Sequence, residues 1–217
     1  PDVPVLSEES CNISFEARRK WSRWWLIDPL DGTRSFIEGS DDFTVNVALM
    51  EYDRVRFGVV GIPVTGVCYY GGKGLGSWKK KGDEEPRAIR SSTKDKVLRI
   101  VASRRSHNPD QDKMMAALAA RVGLIPEPVQ ISSSLKFCWL AEGKADCYPR
   151  FAPTSQWDSA AAQGVLEGEG GEVLDLQGRP LRYKAGEDYL NPFFIALPGC
   201  FPWRSELMQL LSEAQGD

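Results

Sequence analysis

The sequence predicts an α/β protein with a mixed sheet in each half. Residues 43–80 ("FTVNVALMEYDRVRFGVVGIPVTGVCYYGGKGLGSWKK") alternate apolar and polar side chains and are broken by turn signals, the pattern of antiparallel strands. From residue 98 onward, short apolar runs alternate with helical patterns, as in an α/β layer. At 217 residues and 42% apolar, the chain can bury a core as one large domain or two small ones. The expected division is an N-terminal antiparallel-sheet α+β part over 1–95 and a C-terminal α/β part over 96–217. The charged, aperiodic stretch "KKKGDEEPRAIRSSTKDK" (79–96) reads as the connector.

The elements follow in order. Val3 to Leu6 read as a short strand and 24–27 as a buried one. Strands are expected at 44–51, 54–62, 66–71 and 75–79, then at 98–104 ("LRIVASR"). "DQDKMMAALAARVG" (110–123) is an amphipathic helix that Gly123 stops. "EPVQIS" (127–132) reads as a strand, "SSLKFCWLAEG" (133–143) as a helix and "ADCYPR" (145–150) as a strand. "WDSAAAQGVLEGEGG" (157–171) is a helix ending in glycines. "EVLDLQGRPLRY" (172–183) is a hairpin turning at Gln177-Gly178. "FFIALP" (193–198) is a strand, and "WRSELMQLLSEA" (203–214) closes the chain with a helix.

Composition narrows the function. A net charge of −3 with scattered Lys and Arg argues against a partner such as duplex nucleic acid. No apolar run approaches the ~20 residues of a membrane span. Five cysteines, an odd count without a C-x-x-C pair, and a single histidine argue against a structural zinc site and for a reduced, cytoplasmic protein. The start, "PDVPVLSEES", has neither an initiator Met nor signal-peptide features and reads like the middle of a domain, so upstream residues are expected to be absent.

The stretch "WWLIDPLDGTRSF" (24–36) holds the first chemistry. Pro29 fixes its own φ and keeps Asp28 extended, so the strand is expected to stop there, and Gly32 permits a sharp turn. Asp28 and Asp31, with the Leu30 carbonyl between them, can converge on a hard divalent cation. The same residues also read as caps: Asp31 as N-cap of a short helix beginning at Gly32, Asp28 as cap of the turn. Glu8 and Glu9 in "LSEES" follow a strand and alone read as solvated surface. Asp158 in "SQWDSAAAQ" (155–163) precedes an Ala-rich helix and alone reads as an N-cap. Acids at strand ends and helix starts, however, stand where open α/β sheets gather ligands. Together they suit a multi-carboxylate, Mg²⁺-dependent phosphoester site.

"DPLDGT" (28–33), "SEE" (7–9) and "WDSAA" (157–161) resemble the motifs of the inositol monophosphatase superfamily of lithium-sensitive phosphatases. The resemblance runs from Pro4 to about Phe194. Within that superfamily the chain looks like the bacterial 3'(2'),5'-bisphosphate nucleotidases, through "FTVNVAL", "SSSLKFCWLAEGKADCYPRFAPTSQWDSAAAQ" and "LNPFF". The resemblance implies a layered αβαβα sandwich of the sugar-phosphatase type. It also implies a cytoplasmic phosphoric monoester hydrolase, monomer or homodimer, peripheral membrane contact being left open. Its substrate would be a small nucleotide, 3'-phosphoadenosine 5'-phosphate, cleared as a by-product of sulfate assimilation.

The resemblance also assigns residues. Glu8, Asp28, the Leu30 carbonyl and Asp31 would hold a first Mg²⁺, and Asp28, Asp31 and Asp158 a second, among about two or three ions, with Li⁺ inhibiting from a magnesium position. Glu8, Asp31 and Thr33 would be the catalytic groups, Thr33 helping to activate the attacking water. The backbone at Leu30, Gly32, Thr33 and Arg34, together with Asp158, would meet the phosphate. Lys136 and Arg150 would face the nucleotide or its second phosphate, with Ser133 and His107 as further candidates. A guanidinium at 150, where inositol monophosphatases carry an acid, suits a doubly phosphorylated anion. Family members also place long helices and an Asp-rich motif ahead of "SEE", supplying another acid to the metal site; this sequence is expected to lack them. An inositol-phosphate or fructose-bisphosphate phosphatase, or a non-catalytic member, are the alternatives.

Other signals are set aside. "GGKGLG" (71–76) has strands on both sides and reads as a hairpin turn rather than a phosphate loop. Trp21, Trp24 and Trp25 read as core and interface, and "KKKGDEEP" as a solvated loop.

Overall fold

Among the described residues, strand pairing builds a seven-stranded sheet in the first half and a three-stranded and a two-stranded sheet in the second. The computed structural model describes residues 3–93, 96–102, 108–184, 186 and 188–214. The first sheet has seven strands in sequential order: β1 (Val5–Ser7), β2 (Arg23–Asp31), β3 (Thr44–Glu51), β4 (Arg54–Ile62), β5 (Val67–Gly72), β6 (Gly76–Lys81) and β7 (Arg87–Ala88). β1 runs parallel to β2 and the other neighbours are antiparallel, so the sheet is mixed. "GGKGLG" forms the β5–β6 hairpin turn. The connector is shorter than expected, because β7 falls inside it. Between β1 and β2 lie a 3-10 turn (Glu8–Ser10) and helix α1 (Phe15–Arg18); helix α2 (Thr33–Ile37) follows β2.

The second half contributes β8 (Val97–Ala102), α3 (Pro109–Val122), β9 (Ile125–Gln130), α4 (Leu135–Ala141), β10 (Tyr148–Arg150), α5 (Gln156–Gly168), β11 (Glu172–Asp175), β12 (Phe194–Leu197) and α6 (Arg204–Glu213). β8 and β9 pair in parallel, and β10, β12 and β11 pair antiparallel. A bridge from Ile100 to Cys147 stitches these two groups together. α3 starts at Asn108, whose side chain accepts from the N–H groups of Asp110 and Gln111, and stops at Gly123 with φ 71°. The expected strand 145–150 is reduced to 148–150, and the 172–183 hairpin closes through a single bridge, Leu174 to Pro180.

Period-two alternation in β12 explains the layering. Phe194 and Ala196 face a core shared with α4, α5 and the seven-stranded sheet. Ile195 and Leu197 face a second core with Met115 and Leu118 of α3 and Leu207 and Leu211 of α6. The order is therefore sheet, helices, sheet, helices. The outer face of the seven-stranded sheet carries half-buried Trp25, Val45, Val47, Leu49, Phe57 and Val59. Trp24 lies in the core with Trp21 packed against it.

Helix α5 sits unusually close to the first sheet. A Cβ built on Gly58 would lie 1.8 Å from the Ala161 carbonyl oxygen, and one on Gly164 would lie 2.8 Å from the Gly58 nitrogen. Glycine at both positions lets helix and strand backbones touch. This contact brings the N-terminal turn of α5 to the end of β2.

Candidate active site

β2 does not stop at Asp28. It continues through Pro29 to Asp31 with a register irregularity: Asp28 pairs with Asn46, but Asp31 pairs with Thr44. Pro29 has no N–H to give the ladder, and an extra residue is accommodated there as a bulge. In a regular strand Asp28 and Asp31, an odd number of residues apart, would face opposite sides of the sheet. The bulge returns both to the inner side, opposite Asn46 and Thr44. Gly32 then turns the chain at φ 86° and N-caps α2, the role one reading gave to Asp31.

Asp158 arrives from the other direction. It is the third residue of α5, not its N-cap, and its Oδ2 accepts from the Ser155 N–H at 2.8 Å. Carboxylate oxygens of Asp28, Asp31 and Asp158 lie within 4.8 Å of one another. Glu8 is exposed on the 3-10 turn beside β2 and is not one of this close group, although its charge acts on both Asp28 and Asp158.

Burial and crowding dominate the electrostatics. Burial, and then the neighbouring Asp31 charge, push the Asp28 carboxyl up to about 8, against the Leu30 N–H that donates to it at 2.9 Å. The same two causes push Asp158 up to about 7, against its Ser155 N–H bond. Burial raises Asp31 too, opposed by the Lys136 charge and then by donors from Ser134, Asn46 and Thr44. Acids crowded so that they resist ionisation are a donor set that a hard divalent cation would relieve. The carboxylates present fit such an ion.

Asp31 is held by residues that sequence reasoning missed. Its Oδ2 accepts from Thr44 Oγ1 at 3.3 Å, Asn46 Nδ2 at 3.2 Å and the Ser134 N–H. The Ser134 hydroxyl joins Thr44 Oγ1 at 2.9 Å and donates to Asn46 Oδ1 at 2.7 Å, all of it buried. A signal was available: Thr44 and Asn46 are polar at inward positions of a strand whose next inward residues are Ala48 and Met50.

A cavity of about 190 Å³ opens beside this network, and Asp31, Gly32, Arg34, Ser133, Lys136, Arg150 and Asp158 line it. Lys136 is buried, its Nζ donates to the Ser133 carbonyl at 2.9 Å, and burial pulls it down to about 8. Ser133 takes a left-handed φ of 54°, which lets its carbonyl turn toward Lys136. Arg150 Nη2 donates to the Pro153 carbonyl at 3.1 Å. Thr33 is exposed, with its hydroxyl donating to the Leu30 carbonyl at 3.3 Å. His107 lies outside the described residues.

A layered α/β architecture with carboxylates meeting at strand and helix ends defines a class, and comparison identifies it. A model of the inositol monophosphatase family matches residues 1–213, and the chain belongs to that family. It is 42% identical over 195 residues to the 3'(2'),5'-bisphosphate nucleotidase CysQ of Salmonella typhimurium, covering 89% of this chain and 75% of the relative. It is 38% identical over 208 residues to the protein of the same name from Haemophilus influenzae, covering 94% and 76%. The crystal structure of CysQ from Bacteroides thetaiotaomicron superposes with a TM-score of 0.81 at 37% identity, over 92% of this chain and 78% of that one. Inositol monophosphatase II of Staphylococcus aureus, at 17% identity and TM-score 0.77 over 100% and 76%, shares the fold. No helix among the described residues is long and apolar enough to cross a membrane.

Proposed function

We propose that the chain is a Mg²⁺-dependent phosphomonoesterase that hydrolyses the 3'-phosphate of 3'-phosphoadenosine 5'-phosphate. Water is consumed, and AMP and inorganic phosphate are the products. 3'-Phosphoadenylyl sulfate, which presents the same 3'-phosphate but carries a sulfate on its 5'-phosphate, is a second substrate. The observation that carries the reading is one cavity lined by both Asp31 and Asp158 and both Lys136 and Arg150. The likeness to the named nucleotidases supports the substrate.

Asp28, Asp31, Asp158 and the Leu30 carbonyl would hold the cations, with Glu8 at the edge of the site. When bound, such ions acidify water and neutralise charge on the leaving oxygen. Thr33 orients the attacking water through its hydroxyl, whose other partner is the Leu30 carbonyl. Backbone N–H groups at Gly32, Thr33 and Arg34 receive the scissile phosphate. Lys136 and Arg150 bind the second phosphate and so favour a doubly phosphorylated nucleotide over a sugar with one phosphate.

The test is phosphate release measured side by side from the 3',5'-bisphosphate, inositol 1-phosphate and fructose 1,6-bisphosphate, with and without Mg²⁺ and Li⁺. The nucleotide is expected to be preferred, Li⁺ to inhibit, and Asp31→Asn to fall to background. A preference for the inositol ester would refute the substrate.

A further inference from the structure

The supports of the carboxylate group are not equally tied. Glu8 follows β1, and β1 pairs with β2 from Val5 opposite Trp25 to Ser7 opposite Ile27, so the turn that carries Glu8 leaves the same sheet that holds the β2 aspartates. Asp158 rides on a helix that no strand ladder fixes to that sheet. Tyr189 joins the N-terminal segment to the first turn of α5. Its carbonyl accepts from the Gln156 N–H at 2.8 Å. Its ring packs 5.1 Å from that of Trp157, the residue before Asp158. Its hydroxyl donates to the Cys11 carbonyl, just past the Glu8–Ser10 turn. The Arg18 guanidinium lies over the same ring at 4.5 Å.

Arg18 is itself buried and committed. Its Nε donates to the Ile13 carbonyl at 3.1 Å and its Nη2 to the Gly186 carbonyl at 2.6 Å. Asn191 extends the strap, its Nδ2 donating to the Ser155 carbonyl at 2.8 Å and to Ser159 Oγ at 2.9 Å. The strap therefore grips residues on both sides of Asp158 and binds them to the segment that carries Glu8.

We propose that Tyr189 is a positioning residue that fixes Asp158 against the Glu8 turn and thereby sets the affinity of the site for divalent cations. The inference rests on the metal reading above. Tyr189 touches no reacting group; it acts through Trp157, Gln156 and Cys11. Residues that orient metal ligands in this way alter metal affinity when changed, whereas a side chain that only fills the core alters stability alone.

The experiment is Mn²⁺ binding by electron paramagnetic resonance on the full chain, with melting recorded in the absence of metal. Tyr189→Phe keeps the ring and loses only the bond to Cys11; Tyr189→Leu loses both. Mn²⁺ affinity is expected to fall several-fold in Tyr189→Phe and roughly tenfold or more in Tyr189→Leu. Tyr69→Phe, which removes a hydroxyl bonded to Glu142, is the control and is expected to keep wild-type affinity. Wild-type Mn²⁺ affinity in a folded Tyr189→Phe protein overturns the inference, and that variant decides alone if Tyr189→Leu does not fold. If the wild type binds Mn²⁺ no better than Asp31→Asn, the metal reading fails and this inference with it.

Discussion

The Ser134 N–H donates to Asp31 Oδ2 at 2.5 Å across 103 residues of chain. That bond locks the β2 end to the start of α4, and Asn46 completes the lock by donating to Asp31 and accepting from Ser134 Oγ. Asn46→Ala leaves Asp31 one donor short and the Ser134 hydroxyl with Thr44 alone, inside a buried network. The expected cost is about 1–3 kcal/mol of stability, together with loss of turnover as Asp31 loses its fixed orientation. Urea unfolding and phosphate release check it; an unchanged midpoint and rate would remove Asn46 from the account.

The crowded acids predict a pH dependence of opposite sign to that of an ordinary carboxylate. Asp28 and Asp158 have folded-state values of about 8 and about 7, above the ordinary 3.8. The folded protein therefore holds protons that the unfolded chain has already released. Stability without divalent cations falls as pH rises from about 4 to about 8, and is regained on acidification. Thermal melting in chelator across that range checks the sign. Added Mg²⁺ is expected to flatten the slope by making the ionised acids favourable, so equal slopes with and without Mg²⁺ would contradict the donor set.

Much of this site was legible because acids announce themselves at element ends. Asp28, Asp31 and Asp158 come together as their motifs suggested, and Lys136 and Arg150 share a cavity with two of them. What escaped was relational. The bulge at Pro29 follows from pairing with β3, so nothing local revealed that β2 continues to Asp31. Thr44, Asn46 and Ser134 act only because strand and helix bring them to one oxygen. Tyr189 escaped for the same reason, since each of its partners lies on a different element. Strand existence in 43–80 was legible from alternation, whereas strand 145–150 shrank because Cys147 bridges to β8 rather than to β12.

A second buried charge lies away from the carboxylates. Arg99 and Asp146 are almost fully buried and paired at 2.6 Å, and Asp146 Oδ2 also accepts from the Arg99 N–H. Arg99 further donates to the carbonyls of Gly143 and Ser92, tying β8 to the turn after α4. Asp146→Ala strands the guanidinium and is expected to cost about 3–5 kcal/mol. Combining it with Arg99→Met removes the uncompensated charge, so the double variant is expected to be more stable than Asp146→Ala. Chemical denaturation of the three proteins decides this; a double variant less stable than the single would show that the pair is not the source.

Packing and chemistry meet at Gly58. A methyl there would fall 1.8 Å from the Ala161 carbonyl oxygen and 2.9 Å from the Ala161 Cα, both backbone atoms of α5. Neither strand nor helix can yield by a side-chain rotation, so Gly58→Ala must push α5 away from the sheet. Overpacking of this kind costs about 1–3 kcal/mol. The displacement does not stay in the core, because Asp158 sits one turn before Ala161 on the same helix. Gly58→Ala is therefore expected to lose cation affinity as well as stability, although Gly58 lines no part of the cavity. Surface variants of equal destabilisation supply the comparison: Mg²⁺ titration of Gly58→Ala at a temperature where it remains folded should show weaker binding than theirs. If the affinities match, α5 has absorbed the methyl elsewhere and the sheet contact does not set the position of Asp158.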